Sequence, residues 1–110
     1  MTDFKDREKA FEAKFAHDAE ALFRVTARRN RLLGEWAAEK MGLTPEETEA
    51  YAKEVIAADF EEAGDEDVIR KVLGDMMSAK CEIDDAGVRA ALEEKSVEAH
   101  RQFIDSIDKG

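Results

Sequence analysis

The stretch from Phe4 to Met41, FKDREKAFEAKFAHDAEALFRVTARRNRLLGEWAAEKM, decides the fold. At about 100° per residue, Phe4, Phe11, Phe15, Leu22, Leu33 and Trp36 fall within ~60° of one another. One long amphipathic helix accounts for that phase, and no proline interrupts it. Its two halves differ in content. Leu22 to Met41 carries enough Leu, Val, Trp and Met to pack inside a domain. The first half offers only three phenylalanines on otherwise alanine- and charge-rich turns. A helix that keeps its stripe while thinning its core suits a partner's groove. Three phenylalanines that merely extend a bundle core are the plainer reading, and periodicity by itself favours it.

Outward from that helix, the remaining 69 residues read as three more helices. Gly42 can close the first helix in a left-handed cap. Thr44-Pro45-Glu46-Glu47 is a start signal, with Thr44 as N-cap, Pro45 at the first helical position and Glu47 completing a capping box. Helix two runs to about Glu62 with Tyr51, Val55, Ile56 and Phe60 on its apolar side, and Gly64 stops it. Asp65 is the expected cap of helix three, where Val68, Ile69, Val72, Leu73, Met76 and Met77 repeat at three and four. Residues 79–83 form a connection. Asp84 or Asp85 then caps helix four, whose apolar side is Val88, Leu92, Ala99, Phe103, Ile104 and Ile107. Short links favour antiparallel neighbours. The expected fold is all-α: an antiparallel four-helix bundle over 20–110, with residues 1–19 as an N-terminal arm. The arm's charges pair at i, i+3 or i+4, worth tenths of a kcal/mol each, so a helix that short is expected to fray when undocked.

Composition narrows the function classes. The chain has 110 residues, 40% charged, one proline and a net charge of −10. That balance argues against nucleic-acid or anionic-membrane binding. The charge is uneven: residues 1–42 carry nine Lys/Arg and eight Asp/Glu, so the acidity lies in residues 43–110. Such asymmetry suggests that the first helix has partners of its own. A single cysteine, Cys81, excludes an internal disulfide framework and reads as filler at the core's edge. The charged N-terminus is not a signal peptide, and no run approaches the ~20 apolar residues of a spanning helix. A cytoplasmic monomer is the expectation.

Few residues suggest chemistry. The acidic run from Glu61 to Asp67 lacks the calcium-loop pattern and is better explained as a helix stop and cap. His17 and His100 have no Cys or His at ligand spacing. Phosphate-loop and nucleophile-elbow motifs are absent, so nothing reads as catalytic and no cofactor is required. Arg24, Arg28 and Arg31 lie within ~60° on the face opposite the apolar stripe, where guanidinium groups can fork onto phosphate or carboxylate. The alternative is a solvated face paired with the chain's own acids. Arg29 falls inside the apolar arc beside Thr26 and Asn30; a buried cation needs a partner, and Asp59 or Glu62 are candidates. Gly34 in mid-helix costs about 1 kcal/mol relative to Ala, which suggests a close helix approach or room for a ligand beside Trp36.

Several words in the chain carry a resemblance. Phe15-Ala16-His17-Asp18-Ala19-Glu20, Arg28-Arg29-Asn30, Leu32-Leu33-Gly34-Glu35-Trp36-Ala37, Asp59-Phe60-Glu61-Glu62-Ala63-Gly64 and Glu66-Asp67-Val68 resemble the zeta subunit family. These are small inhibitory subunits of alphaproteobacterial F-type ATP synthases. The helix-four region is similar only in pattern. The resemblance implies a four-helix bundle whose N-terminal segment inhibits ATP hydrolysis by entering between catalytic-head subunits and the central rotor, at the inner face of the membrane. It also implies ADP/ATP as a possible ligand of the bundle. On that reading the partner-binding residues are Phe4, Phe11 and Phe15 as apolar anchors, with Arg7 and Lys14 beside them. Nucleotide phosphates would seek the chain's one concentration of positive charge, at Arg24, Arg28 and Arg31. The competing class is a stand-alone nucleotide- or anion-binding bundle whose arm folds back on its own core. A stability factor without regulatory role is a third.

Overall fold

The computed structural model describes residues 19–61 and 64–109. Within them are four helices: α1, Ala19–Met41; α2, Pro45–Glu61; α3, Asp65–Ser78; and α4, Asp85–Lys109. The all-α expectation holds, and α1 packs against each of the other three. The assigned anchors Phe4, Arg7, Phe11, Lys14 and Phe15 lie outside the described residues.

The helix ends are built from local signals. Gly42, with φ 74°, ends α1 in a Schellman motif. Its N–H donates to Glu39 O at 3.1 Å, and Leu43 N–H reaches back to Ala38 O at 3.0 Å. The capping box forms as the spacing requires. Glu47 N–H donates to Thr44 Oγ1 at 3.2 Å, and Thr44 N–H donates to Glu47 Oε1 at 2.9 Å. Those bonds from Thr44 hold the Glu47 carboxyl below its ordinary range. Asp84, and not Asp85, caps α4: its Oδ1 accepts from Gly87 N–H at 2.8 Å.

Two local expectations are corrected. Asp65 does not cap α3. The chain enters that helix at Gly64, with φ 153° and no side-chain cap bond, and Asp65 is already the first helical residue. Its carboxylate, at the positive end of α3, instead accepts a bond from Arg29. Met77 is 61% exposed and is not a core residue. On the wheel it sits ~80° beyond the edge of the arc holding Val68, Ile69, Val72 and Met76.

One end of α3 carries no glycine signal. Lys80 adopts φ 64°. A second Schellman pair, Cys81 N–H to Met76 O at 2.9 Å and Lys80 N–H to Met77 O at 3.0 Å, holds it there. Cys81 then packs at the core's edge, with its Sγ 3.4 Å from Lys40 O, which ties the α3–α4 connection to the end of α1.

Among the described residues the buried apolar groups form two clusters. The larger draws on all four helices, with Leu33, Ala37, Val55, Val68, Val72 and Val88 fully buried. The smaller contains only α1 and α4 residues: Ala21, Val25 and Ala99, with Leu32 and Phe103 packed against them. Helix lengths explain the division. At ~1.5 Å per residue, the 23 residues of α1 and 25 of α4 outrun the 17 of α2 and 14 of α3. A four-helix body therefore continues into a two-helix stalk.

Gly34 lies at a close approach of α1 and α2. A Cβ placed there would lie 2.9 Å from Ala52 Cα on α2. The space beside it is filled by α2 backbone, so of the two sequence readings the close approach holds. Across the α2–α3 contact, the buried Tyr51 hydroxyl donates to Asp75 Oδ2 at 2.8 Å. Lys71 Nζ bonds the same oxygen at 3.2 Å and stands 5.4 Å from the Tyr51 ring centroid. Burial, first, and the bond to Asp75 push the Tyr51 phenol well above its ordinary range.

Candidate partner-binding face and arginine cluster

The junction between body and stalk is a polar knot on α1. Asn30 is the only buried polar or charged residue among those described, at 1% exposure. Its Oδ1 accepts from Arg29 Nε at 3.1 Å and Nη2 at 3.0 Å, and its Nδ2 donates to Asp59 Oδ2 at 3.2 Å. Arg29 also pairs with Asp65 at 2.9 Å and approaches Asp59 at 3.9 Å. A single α1 turn thus holds the last turn of α2 and the first residue of α3. Asp59 is one of the two acids expected for Arg29, while Asp65 was read as a cap. Glu62 lies outside the described residues.

Such a knot is fully paired; no described buried side-chain N or O atom lacks a hydrogen-bond partner. Its removal leaves buried groups unsatisfied. Asn30→Ala is expected to destabilise the fold by about 1–3 kcal/mol, read as an earlier urea midpoint with an unchanged slope.

The arginine face divides. Arg24 and Arg28 are exposed. Arg31 pairs with Glu49 of α2 at 2.9 Å, both side chains remaining about half exposed. For Arg31, then, the sequence alternative of pairing with the chain's own acids is the one the fold realises. Elsewhere Arg89 is held between Asp85 and Glu66, with both terminal nitrogens 2.7 Å from the Glu66 carboxylate oxygens. That fork draws the Glu66 carboxyl below its ordinary range and raises the Arg89 guanidinium. Among the described residues no group of three or more His, Cys, Asp or Glu could hold a metal, and no helix is long and apolar enough to cross a membrane.

Leu22 departs from its expected environment. It shares the apolar arc with Leu33, yet Leu33 is fully buried and Leu22 is 48% exposed; its neighbour Phe23 is 51% exposed. The knot explains the difference. Counted back along α1 from Asn30, toward Ala19, α4 is the described helix that packs with α1. Leu22 was read as a core residue because phase along one helix does not say where its neighbours end. Phe23 lay outside the arc and was not singled out.

This helical frame, with its long first helix and the family words folded into it, has matches among known proteins. The family model described as ATPase inhibitor subunit zeta matches residues 1–102. The chain belongs to that family. The match covers the residues preceding α1, the first three helices and α4 as far as residue 102, so the segment read as an arm is part of what the family shares. A structure solved by solution NMR is similar in fold, with a TM-score of 0.67 and 49% identity over 76% of this chain and 95% of that one. No curated protein matches the chain. The family's description makes the chain an inhibitory subunit with an ATPase as partner, and the ATP synthase follows from the zeta resemblance.

Proposed function

We propose that this chain is a non-enzymatic inhibitor of ATP hydrolysis by the F-type ATP synthase, and that residues 1–19 insert at the interface of catalytic subunits and rotor. The family match over residues 1–102 carries the reading. The phase-locked Phe4, Phe11 and Phe15 supply the apolar contact, flanked by Arg7 and Lys14. Each buried phenylalanine contributes about 1.5–3 kcal/mol before ordering costs. Hydrolysis requires the rotor to move, so an inserted helix whose contacts must break with each step stalls it. Binding alone then suffices, and the chain performs no chemistry. The test is ATP hydrolysis by the cognate catalytic head with increasing amounts of this protein. A saturable loss of activity is expected, and unchanged hydrolysis at saturating protein refutes the proposal.

Adenine nucleotide binding belongs to the same proposal. Arg24, Arg28 and Arg31 share the outer face of α1, and phosphate would compete for them with groups they already meet, Glu49 at Arg31 among these. Affinity should be weak, because no glycine-rich loop presents backbone N–H groups to the phosphates. Titrating ADP while following backbone amide shifts should move resonances around Arg24–Arg31. Shifts confined to α3 and α4 would place the site elsewhere.

A further inference from the structure

Helix α3 is built more weakly than its neighbours. It is the shortest of the four described, with 14 residues against 17 to 25. Side chains of Thr44 and Asp84 cap α2 and α4, whereas α3 is entered from Gly64 with no side-chain cap. Gly74 sits in its interior, and beyond the helix's own backbone nothing lies within 4 Å of the Cβ that an alanine would add. No close approach requires this glycine, unlike Gly34, and it lowers the propensity of the helix. Just past its last turn, Lys80 holds φ 64°, a region that side chains disfavour. Burial of Val68, Ile69, Val72 and Met76 has to offset all of this.

The rest of the hold on α3 is charge. Each of the other three helices donates to a carboxylate of α3: Arg29 of α1 to Asp65 at 2.9 Å, Tyr51 of α2 to Asp75 at 2.8 Å, and Arg89 of α4 to Glu66 at 2.7 Å. Its fourth acid, Asp67, pairs with Arg70, and Lys71 joins Tyr51 on Asp75. Asp65, Glu66 and Asp67 also fill the first turn, where negative charge compensates for the missing cap. Both arginines keep other partners if α3 moves away, Asn30 and Asp59 for Arg29 and Asp85 for Arg89. Opening therefore strands no buried cation. The contacts of α1 with α2 at Gly34, and with α4 through Ala21, Val25 and Ala99, do not involve α3. We infer that α3 is the first helix to open from this body while α1, α2 and α4 stay associated, and that its ionised carboxylates are the latch. An ionised carboxylate accepts these bonds more strongly than a neutral one. The hold is thus complete above the ordinary carboxylate range and is lost as pH falls through it. Its bonds to Arg89 draw the Glu66 carboxyl below that range, so this part of the latch is lost last. Tyr51, raised by burial and by Asp75 with Glu54 of α2 nearby, keeps its proton throughout.

Amide exchange of the full-length chain, read residue by residue as protection, tests this. At neutral pH the amides of Val72, Leu73 and Met76 should be at least about ten-fold less protected than those of Leu33, Ala37 and Val55. The Asp65→Asn/Glu66→Gln double variant should lower protection in α3 by about a further five-fold and leave α1 unchanged. Glu49→Gln removes an exposed pair between α1 and α2 that touches no α3 residue, and should leave the ratio of α3 to α1 as in wild type. Gly74→Ala, placed in open space, should raise protection in α3 alone by about four-fold. Acidification of wild type to about pH 3.5, below the ordinary carboxylate range, should strip protection from α3 before α1. Equal protection of α3 and α1 in wild type overturns the inference, as does a gain from Gly74→Ala shared by every helix. A double variant with wild-type protection in α3 shows that burial alone holds the helix and overturns the latch. Loss of protection in all four helices together, in the double variant or in acid, makes the body a single unit and overturns the inference as well.

Discussion

Deleting residues 1–14 should abolish inhibition of ATP hydrolysis while helix content and cooperative melting of the remainder stay close to those of the full chain. The described helices begin at Ala19, and both apolar clusters are assembled from residues 21 onward. The core formed by the described residues is expected to stand without the deleted segment. That segment carries two of the three phenylalanine anchors, Phe4 and Phe11, together with Arg7 and Lys14. Two buried phenylalanines amount to about 3–6 kcal/mol gross. A net loss of about 3 kcal/mol after ordering costs already corresponds to roughly a hundred-fold in affinity. Hydrolysis assays beside circular-dichroism melts check both halves of the expectation. A truncated protein that inhibits like the full chain would show that the inhibitory contact lies in the bundle.

Gly34→Val should be among the most destabilising single substitutions in the body. Replacing a helical glycine ordinarily gains up to about 1 kcal/mol of helix propensity for Ala, and less for a β-branched residue. Here a Cβ meets Ala52 Cα at 2.9 Å and the Val55 side chain at 3.3 Å. The nearer atom is backbone and cannot rotate away, so α1 and α2 must separate. Overpacking of this kind costs about 1–3 kcal/mol. The two added methyl groups of valine place the net loss near the upper end. Separation also works against the Arg29–Asn30 knot one turn away. Thermal melts of Gly34→Ala and Gly34→Val should rank wild type, Ala, Val in falling stability. A Gly34→Ala protein more stable than wild type would mean that the helices yield at no cost, and the close approach would lose its explanatory role.

Much of this architecture could be read residue by residue, because its determinants are local. The Thr44–Glu47 box, the Gly42 cap and the Asp84 cap each involve groups within five residues, whose bonding follows from spacing and side-chain chemistry. The four helices and their apolar sides follow from periodicity in the same way. The need of Arg29 for an acid was legible, since a cation on the apolar face must be paired. Which acids answered was only partly so, since Asp59 and Asp65 arrive from different helices. The left-handed Lys80 had no local signal; a pair of Schellman bonds and the packing of Cys81 impose it.

Leu22 and Leu33 show where the sequence stops and the tertiary structure begins. They are the same residue type, on one helix, in one phase, eleven positions apart, and the sequence by itself determined all of that. One is fully buried and the other half exposed, which the relative lengths and docking of α2 and α3 decided. Burial depends on how far neighbouring helices reach along α1, a distance that no periodicity within α1 encodes. The same holds for Asp65, an N-cap by composition and an ion-pair partner of α1 in the fold, because the conformation of Gly64 moved the start of α3 by one residue.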